Sequence, residues 1–208
     1  MFDDALRRRS GPLVDRLARP LVRRGVGPDT LTSCGLAVGL GAAVTLALEG
    51  PALLAAALFL ANRGIDGLDG AVARRRVARR PGDGPGWGGV WDHTADVIVY
   101  VAVPVGLAMG RPELWSAAAV LCATIAVNLV TVLAAAQPIG GRSVALRPGL
   151  VEGSETIVAY TVIIAVPAAT EVGMWVFAAA VGLTAAERLM RLRWPAAPSD
   201  GPGPHPPP

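Results

Sequence analysis

Four aspartates lie in parts of the chain that are otherwise apolar. Asp66, Asp69, Asp92 and Asp96 are surrounded mainly by Ala, Leu, Val and Gly. The first two are three residues apart and the last two are four apart, so each pair shares one face of a helix. A charged side chain at membrane depth costs about 2.5–3.5 kcal/mol on insertion scales. Four carboxylates in such segments therefore indicate a functional site.

The chemistry of such a group is that of a metal site. Four carboxylates cannot all stay ionised close together without cations. Ligand sets made only of oxygen favour Mg²⁺ or Mn²⁺ over Zn²⁺. Two ions about 3.5–4 Å apart, bridged by shared carboxylates, are typical of phosphoryl transfer. We therefore expect the four aspartates to hold two Mg²⁺ or Mn²⁺ ions.

The composition places these residues in a membrane protein. The chain has 208 residues, of which 52% are hydrophobic and 17% charged, and its mean hydropathy is +0.48. These values exclude an ordinary soluble domain, and they exclude disorder over most of the length. Two cysteines are too few for a disulfide scaffold. Abundant Ala and Leu favour helices, so the predicted fold is an all-α polytopic membrane protein.

Six apolar segments of roughly 20 residues each predict six membrane-spanning helices. They cover residues 31–48, 51–72, 89–109, 114–136, 154–170 and 172–190. Before them, residues 3–24 are rich in arginine, and Leu13, Leu17 and Leu21 recur every four residues. This pattern predicts an amphipathic helix on the membrane surface, which we expect Pro12 and Pro20 to break into short pieces. The alternative is a solvated basic arm.

The arginines predict the topology. With both termini inside, the inner side carries every loop and terminal arginine except Arg111, which is the asymmetry expected for six spans. Asp66 then lies about 12 Å and Asp96 about 10 Å from the inner end of its helix. The carboxylates can converge on one cavity that is open to the cytoplasm. Two alternatives are interhelical ion pairs, such as Arg63 with Asp96, and the ion pathway of a transporter.

Two stretches of sequence carry a resemblance to a known family. Residues 66–74 read DGLDGAVAR and residues 88–96 read GGVWDHTAD. Together they resemble the CDP-alcohol phosphatidyltransferase signature, D-x-x-D-G-x-x-A-R followed by G-x-x-x-D-x-x-x-D. Residues 27–32 are similar to the family's P-N-x-L-T element, with Asp29 in place of asparagine. The spacer 75–87 has 13 residues, whereas the family usually has eight or nine.

The resemblance implies a reaction and a role for each matching residue. The reaction is transfer of a phosphatidyl-type group from a CDP-linked lipid, such as CDP-diacylglycerol, to an acceptor hydroxyl, with release of CMP in phospholipid biosynthesis. The four aspartates would hold the two ions, and Asp96 would also be the general base. The residues implied to contact the CDP-lipid are Asp29, Thr30, Leu31, Thr32, Gly70, Ala73, Arg74 and Gly88. Arg142 and Arg147, before the fifth span, are candidates for binding a phosphorylated acceptor.

The resulting organisation has three parts. Residues 1–27 form a basic juxtamembrane segment, 28–193 the six-helix transferase domain, and 194–208 a Pro-rich disordered tail. We expect a multi-pass protein of the plasma membrane with its site facing the cytoplasm. The expected partners are membrane lipids, the CDP-lipid, a polar alcohol and, as the family implies, a second copy of the chain, but no nucleic acid. The alternative function is a catalytically silent membrane protein of the same fold that binds metal or nucleotide.

Overall fold

The computed structural model describes residues 2–77, 87–136 and 153–193, and the regular structure in these ranges is helical. Short 3₁₀ turns at Pro112–Leu114 and Pro167–Ala169 precede the fifth and seventh helices. The α-helices are α1 (Phe2–Arg23), α2 (Pro28–Ala47), α3 (Ala52–Val77), α4 (Trp87–Gly110), α5 (Trp115–Ala136), α6 (Gly153–Ala165) and α7 (Thr170–Arg193). The prediction of an all-α fold is confirmed.

A helix occurs at each of the six predicted apolar segments. Four stretches are long and apolar enough to cross a membrane: Pro28–Ala47, Trp87–Gly110, Pro112–Ala134 and Pro167–Arg193. The chain is therefore a multi-pass membrane protein. α3 is as long as these helices but carries Arg63, Asp66 and Asp69, and α6 has only 13 residues. A membrane crossing by all six helices stays a prediction.

α1 differs from the expectation at its prolines. It is one continuous helix through Pro12 and Pro20, so the prediction that they break it was wrong. Tertiary packing offsets the cost of a proline inside a helix, because Ala18 is buried in a small cluster with Ala71 and Val72 of α3. Since α1 is docked on α3, it is not a free basic arm. Its place at the membrane surface stays a prediction.

The helices form two groups that share one core. α2 packs against both α3 and α4, α5 packs against α7, and α3 and α4 join the groups through α6 and α5. Phe59, Tyr160 and Phe177 form the aromatic centre, where the Phe59 and Tyr160 rings stack at 5.4 Å. The group α2–α4 carries the aspartates, so its packing sets the geometry of the site.

Candidate active site

Three of the predicted aspartates form a compact triad. Asp66 and Asp69 from α3 and Asp92 from α4 each offer a carboxylate oxygen, and these oxygens lie within 4.8 Å of one another. Asp69 is buried and accepts a hydrogen bond of 2.7 Å from Thr32 Oγ1 on α2. Oδ1 of Asp92 is buried and has no hydrogen-bond partner among the residues that the structure describes. An unpartnered carboxylate oxygen beside two further carboxylates fits a divalent cation.

The fourth aspartate has a different partner. Oδ1 of Asp96 accepts a hydrogen bond of 2.7 Å from Nη2 of Arg63, which is also an ion pair. Nη1 of the same arginine lies 3.9 Å from Oδ2 of Asp66. The ion pair that the sequence offered as an alternative to a metal site is therefore present, but it lies beside the triad and does not replace it.

A small cavity connects these two features. It lies between α2, α3 and α4. Its walls include the side chains of Asp66, Asp69 and Asp96 together with Thr32 and Asn62. The carboxylate groups from both halves of the signature therefore face one space.

The positions implied to contact the CDP-lipid lie at the start of α2, near the end of α3 and at the start of α4. Asp29 and Thr30 are exposed at the start of α2, Leu31 is half-buried and Thr32 is buried. A β-carbon on Gly88 would lie 2.9 Å from Oδ1 of Asp29, so the first turns of α2 and α4 are in close contact. These positions therefore form one rim together with the end of α3.

The end of α3 contributes the remaining positions of that rim. Gly70 and Ala73 are half-buried, and Arg74 is exposed. A β-carbon on Gly70 would lie 3.3 Å from Nη1 of Arg74, so the guanidinium lies over Gly70. Some of the predicted residues lie outside the described ranges. They are Arg142, Arg147, residues 78–86 of the spacer and the tail 194–208.

Sequence reasoning missed a second polar cavity beside the first. It is lined by residues of α4–α7, including Tyr100, Asn128, Thr156 and Thr184. Nη1 of Arg188 on α7 donates to Oδ1 of Asn128 at 2.8 Å and to Oγ1 of Thr131 at 3.0 Å. In the sequence, Arg188 counts only as one of the arginines on the inner side that predict the membrane topology. An asparagine inside one apolar segment and an arginine near the end of another were the available signal.

Comparison with known proteins agrees with the geometry. The family model for CDP-alcohol phosphatidyltransferases matches residues 26–186, more than half of the chain. The chain belongs to the CDP-alcohol phosphatidyltransferase family. The family predicted from the signature is thus confirmed, and the matched range contains the triad, Arg63 and Asp96.

Similar proteins include two from bacteria. The inner membrane protein YnjF of Escherichia coli is 34% identical over 200 residues, covering 91% of this chain and 94% of YnjF. The phosphatidylinositol phosphate synthase of Mycobacterium tuberculosis with CDP-DAG bound has a TM-score of 0.70 at 26% identity. That alignment covers 92% of this chain and 99% of the synthase. The same synthase with manganese and citrate gives a TM-score of 0.72 at 27% identity, covering 91% and 93%.

The predicted enzyme class and reaction are confirmed at the level of the family. This CDP-alcohol phosphatidyltransferase moves a phosphatidyl-type group from a CDP-linked lipid to an acceptor hydroxyl and releases CMP. The carboxylate triad and the manganese in the mycobacterial synthase support binding of a divalent metal.

Proposed function

We propose that the carboxylates of α3 and α4 are the catalytic centre of this transferase and that they hold two divalent ions, Mg²⁺ or Mn²⁺. One observation carries the proposal: three carboxylates from two helices converge within 4.8 Å, and a buried oxygen on Asp92 has no hydrogen-bond partner among the described residues. Asp66, Asp69 and Asp92 hold the first ion. Asp96 lies next to the triad and completes the ligands of the second. When bound, the ions offset the negative charge of the pyrophosphate and of the departing CMP.

The residues of the chain have separate tasks in this proposal. Thr32 fixes the Asp69 carboxylate by its hydrogen bond. Arg74 binds the CDP moiety by a charge-assisted contact to phosphate, while Gly70 and Gly88 leave space for it. Asp29, Thr30, Leu31 and Ala73 border the nucleotide at the rim described above.

Asp96 acts as the general base. It takes the proton of the acceptor hydroxyl as that oxygen attacks the phosphorus bound to diacylglycerol. The bond from this phosphorus to the bridging oxygen of the pyrophosphate breaks, and CMP leaves with the electron pair. A carboxylate within reach of both the cavity and the triad meets the geometric requirement for this role.

We infer that the acceptor is a phosphorylated polar alcohol and that it occupies the second cavity. Tyr100 lines this cavity and accepts a hydrogen bond from Arg63, which in turn donates to the proposed base, Asp96. Arg188 supplies a cation next to Asn128, and Arg142 and Arg147, which precede α6 in the sequence, are the further candidates. Inositol phosphate is the first candidate, since the mycobacterial neighbour is a phosphatidylinositol phosphate synthase.

The proposal includes a membrane topology. α2–α7 cross the plasma membrane as one domain, residues 28–193, with both termini and the catalytic centre on the cytoplasmic side. α1 lies on the inner surface, and the protein acts as a homodimer. The distribution of arginine supports this arrangement, since Arg111 alone lies on the outer side.

Purified protein in liposomes with CDP-diacylglycerol tests the proposed function. Glycerol 3-phosphate, inositol phosphate, inositol and serine are supplied in turn, and CMP and the lipid product are measured. We expect equal amounts of CMP and of one new phospholipid, loss of both with EDTA, and recovery with Mg²⁺ or Mn²⁺. Activity that is indifferent to chelation would contradict the metal centre. Binding of Mn²⁺ and CDP-lipid without CMP release from any acceptor would favour the silent binding protein.

A further inference from the structure

Arg63 is a buried cation that lies outside the family signature. It is only 8% exposed, and it lies one helical turn before Asp66 on α3. Burial of a charge is costly unless the group is paired and fully hydrogen-bonded. The contacts of this side chain therefore indicate the role for which a charged group is buried here.

Neutral groups hold the guanidinium on two of its edges. Nε donates to Oδ1 of Asn62 at 2.8 Å, and Nη1 donates to the hydroxyl of Tyr100 at 3.0 Å. The guanidinium carbon also lies 4.9 Å from the centre of the Tyr100 ring, a cation–π contact. These contacts fix the plane of the forked guanidinium group. A residue that only neutralised a negative charge would not need its plane to be fixed.

The two neutral partners are themselves fixed by neighbouring helices. Nδ2 of Asn62 donates to the carbonyl of Gly35 on α2 at 2.9 Å. The carbonyl of Tyr100 accepts a bond of 2.6 Å from the hydroxyl of Tyr160 on α6. The orientation of Arg63 is thus set by contacts that involve α2, α3, α4 and α6.

The remaining edge of the fork faces Asp96. Nη2 donates to Oδ1 of Asp96 at 2.7 Å, while the triad is formed by the other three aspartates. A short charge-assisted bond in a fixed direction determines the orientation of a carboxylate. This bond therefore occupies Oδ1 of Asp96.

We propose that Arg63 is a positioning residue for Asp96, and that it acts through the geometry of its fork rather than through its charge. It holds one oxygen of the base and so presents the other to the acceptor hydroxyl. The inference rests on the proposed role of Asp96 as general base. It adds a residue outside the signature to the machinery of this enzyme.

Lysine and glutamine at position 63 separate geometry from charge. Lysine keeps the positive charge, but its ammonium group is a compact point charge without the forked shape of a guanidinium. It therefore cannot donate hydrogen bonds to Asn62, Tyr100 and Asp96 at the same time. We expect Arg63→Lys and Arg63→Gln to lower kcat by a similar factor of about 100, the scale of a lost orientation. The KM for CDP-diacylglycerol should stay within about threefold, because Arg63 does not touch that substrate. Tyr100→Phe, which removes one acceptor of the fork, should lower kcat by a smaller factor.

Metal binding provides a readout that is independent of turnover. Titration of Mn²⁺ into each purified variant, followed by electron paramagnetic resonance, measures the affinity of the triad. We expect this affinity to stay within about threefold of the parent protein, because the short hydrogen bond of Arg63 is to Asp96, whereas its contact with the triad is an ion pair of 3.9 Å to Asp66. Arg111→Gln is the matched control, since Arg111 lies at the far end of the molecule and donates to the carbonyl of Pro167. It should leave kcat unchanged.

The outcomes separate this inference from the proposed function. Arg63→Lys with more than a third of the parent kcat would mean that charge alone is sufficient and would overturn the inference. A tenfold loss of Mn²⁺ affinity would move the role of Arg63 to the metal triad, which also overturns it. Failure of both Arg63 variants and Tyr100→Phe to fold would make Arg63 a purely structural residue. Asp96→Asn is the remaining variant to measure. Normal turnover by Asp96→Asn would refute the proposed function itself. If Asp96→Asn is inactive and the Arg63 variants have normal turnover, only this inference is refuted.

Discussion

α2 and α4 meet in two different ways at the two ends of their interface. At the end away from the carboxylates, which is the outer end in the proposed topology, the backbones touch: a β-carbon on Gly106 would lie 2.3 Å from the carbonyl oxygen of Ala43, and one on Gly110 would lie 2.4 Å from that of Leu46. At the carboxylate end the bond between these helices is made by side chains, from Nε1 of Trp91 to Oγ of Ser33 at 3.2 Å. A β-carbon on Gly89 there would meet no atom of the described part of the chain within 4 Å.

The difference separates a structural end from a functional one. Close backbone approach through glycine allows tight packing of helices inside a membrane. The carboxylate end instead gathers like charges that repel each other without cations, which costs stability. The tight packing at the outer end can therefore offset the loss of stability that the like charges cause at the carboxylate end.

The largest effect is expected at the triad. Asp66→Ala should lower CMP release by at least about 10³-fold, roughly 4 kcal/mol in barrier, because it removes a metal ligand. The thermal midpoint of the metal-free protein should change little or rise, since one member of a group of like charges is gone. Steady-state kinetics and differential scanning fluorimetry in detergent measure both. A variant that is inactive because it unfolds would contradict the division between the two ends.

The opposite result is expected at the outer end. Gly106→Ala places a methyl group against the Ala43 carbonyl, and overpacking of this kind costs about 1–3 kcal/mol. In a chain of this size that corresponds to a decrease of roughly 5 °C in the thermal midpoint. The activity of the protein that remains folded should be close to normal.

Gly89→Ala on the same helix is the matched control for that prediction. Its new methyl group meets nothing, and alanine is favoured over glycine within a helix, so the midpoint should stay or rise slightly. If both alanine variants shift the midpoint equally, the two ends are not packed differently.

A smaller effect is expected at the rim of the site. Arg74→Ala should raise the KM for CDP-diacylglycerol about tenfold, since it removes a charge-assisted contact to phosphate. Arg76→Ala is its control, because Arg76 is equally exposed but donates to the carbonyl of Gly25, away from the triad. Equal changes in KM for the two variants would show that only the general positive charge of this surface matters.

Much of the site could be predicted from the sequence because it follows from local periodicity. Spacings of three and four residues place Asp66 with Asp69 and Asp92 with Asp96, and the signature names both pairs. The network of Arg63 could not be predicted in the same way. Its partners Asn62 and Tyr100 lie on two helices, and only the rotation of those helices about their axes determines which side chains meet.

The fold shows the same limit. Apolar runs located α2–α7 to within a few residues, since length and hydropathy are local properties. The continuity of α1 through two prolines depends on a surface of α3 around Ala71 and Val72, which a local rule for proline does not include. The cavity beside Asn128 and Arg188 likewise requires α5 and α7 to pack against each other.

Asp96→Asn tests the central claim most directly, because it keeps the shape of the side chain and removes its ability to take a proton. Binding of CDP-diacylglycerol and release of CMP are measured on the same preparation with saturating Mg²⁺ and the acceptor that gives the highest rate. We predict that binding stays within about threefold while CMP release falls by at least about 10³-fold. Near-normal CMP release by Asp96→Asn would contradict the assignment of the general base and the account of the site built on it.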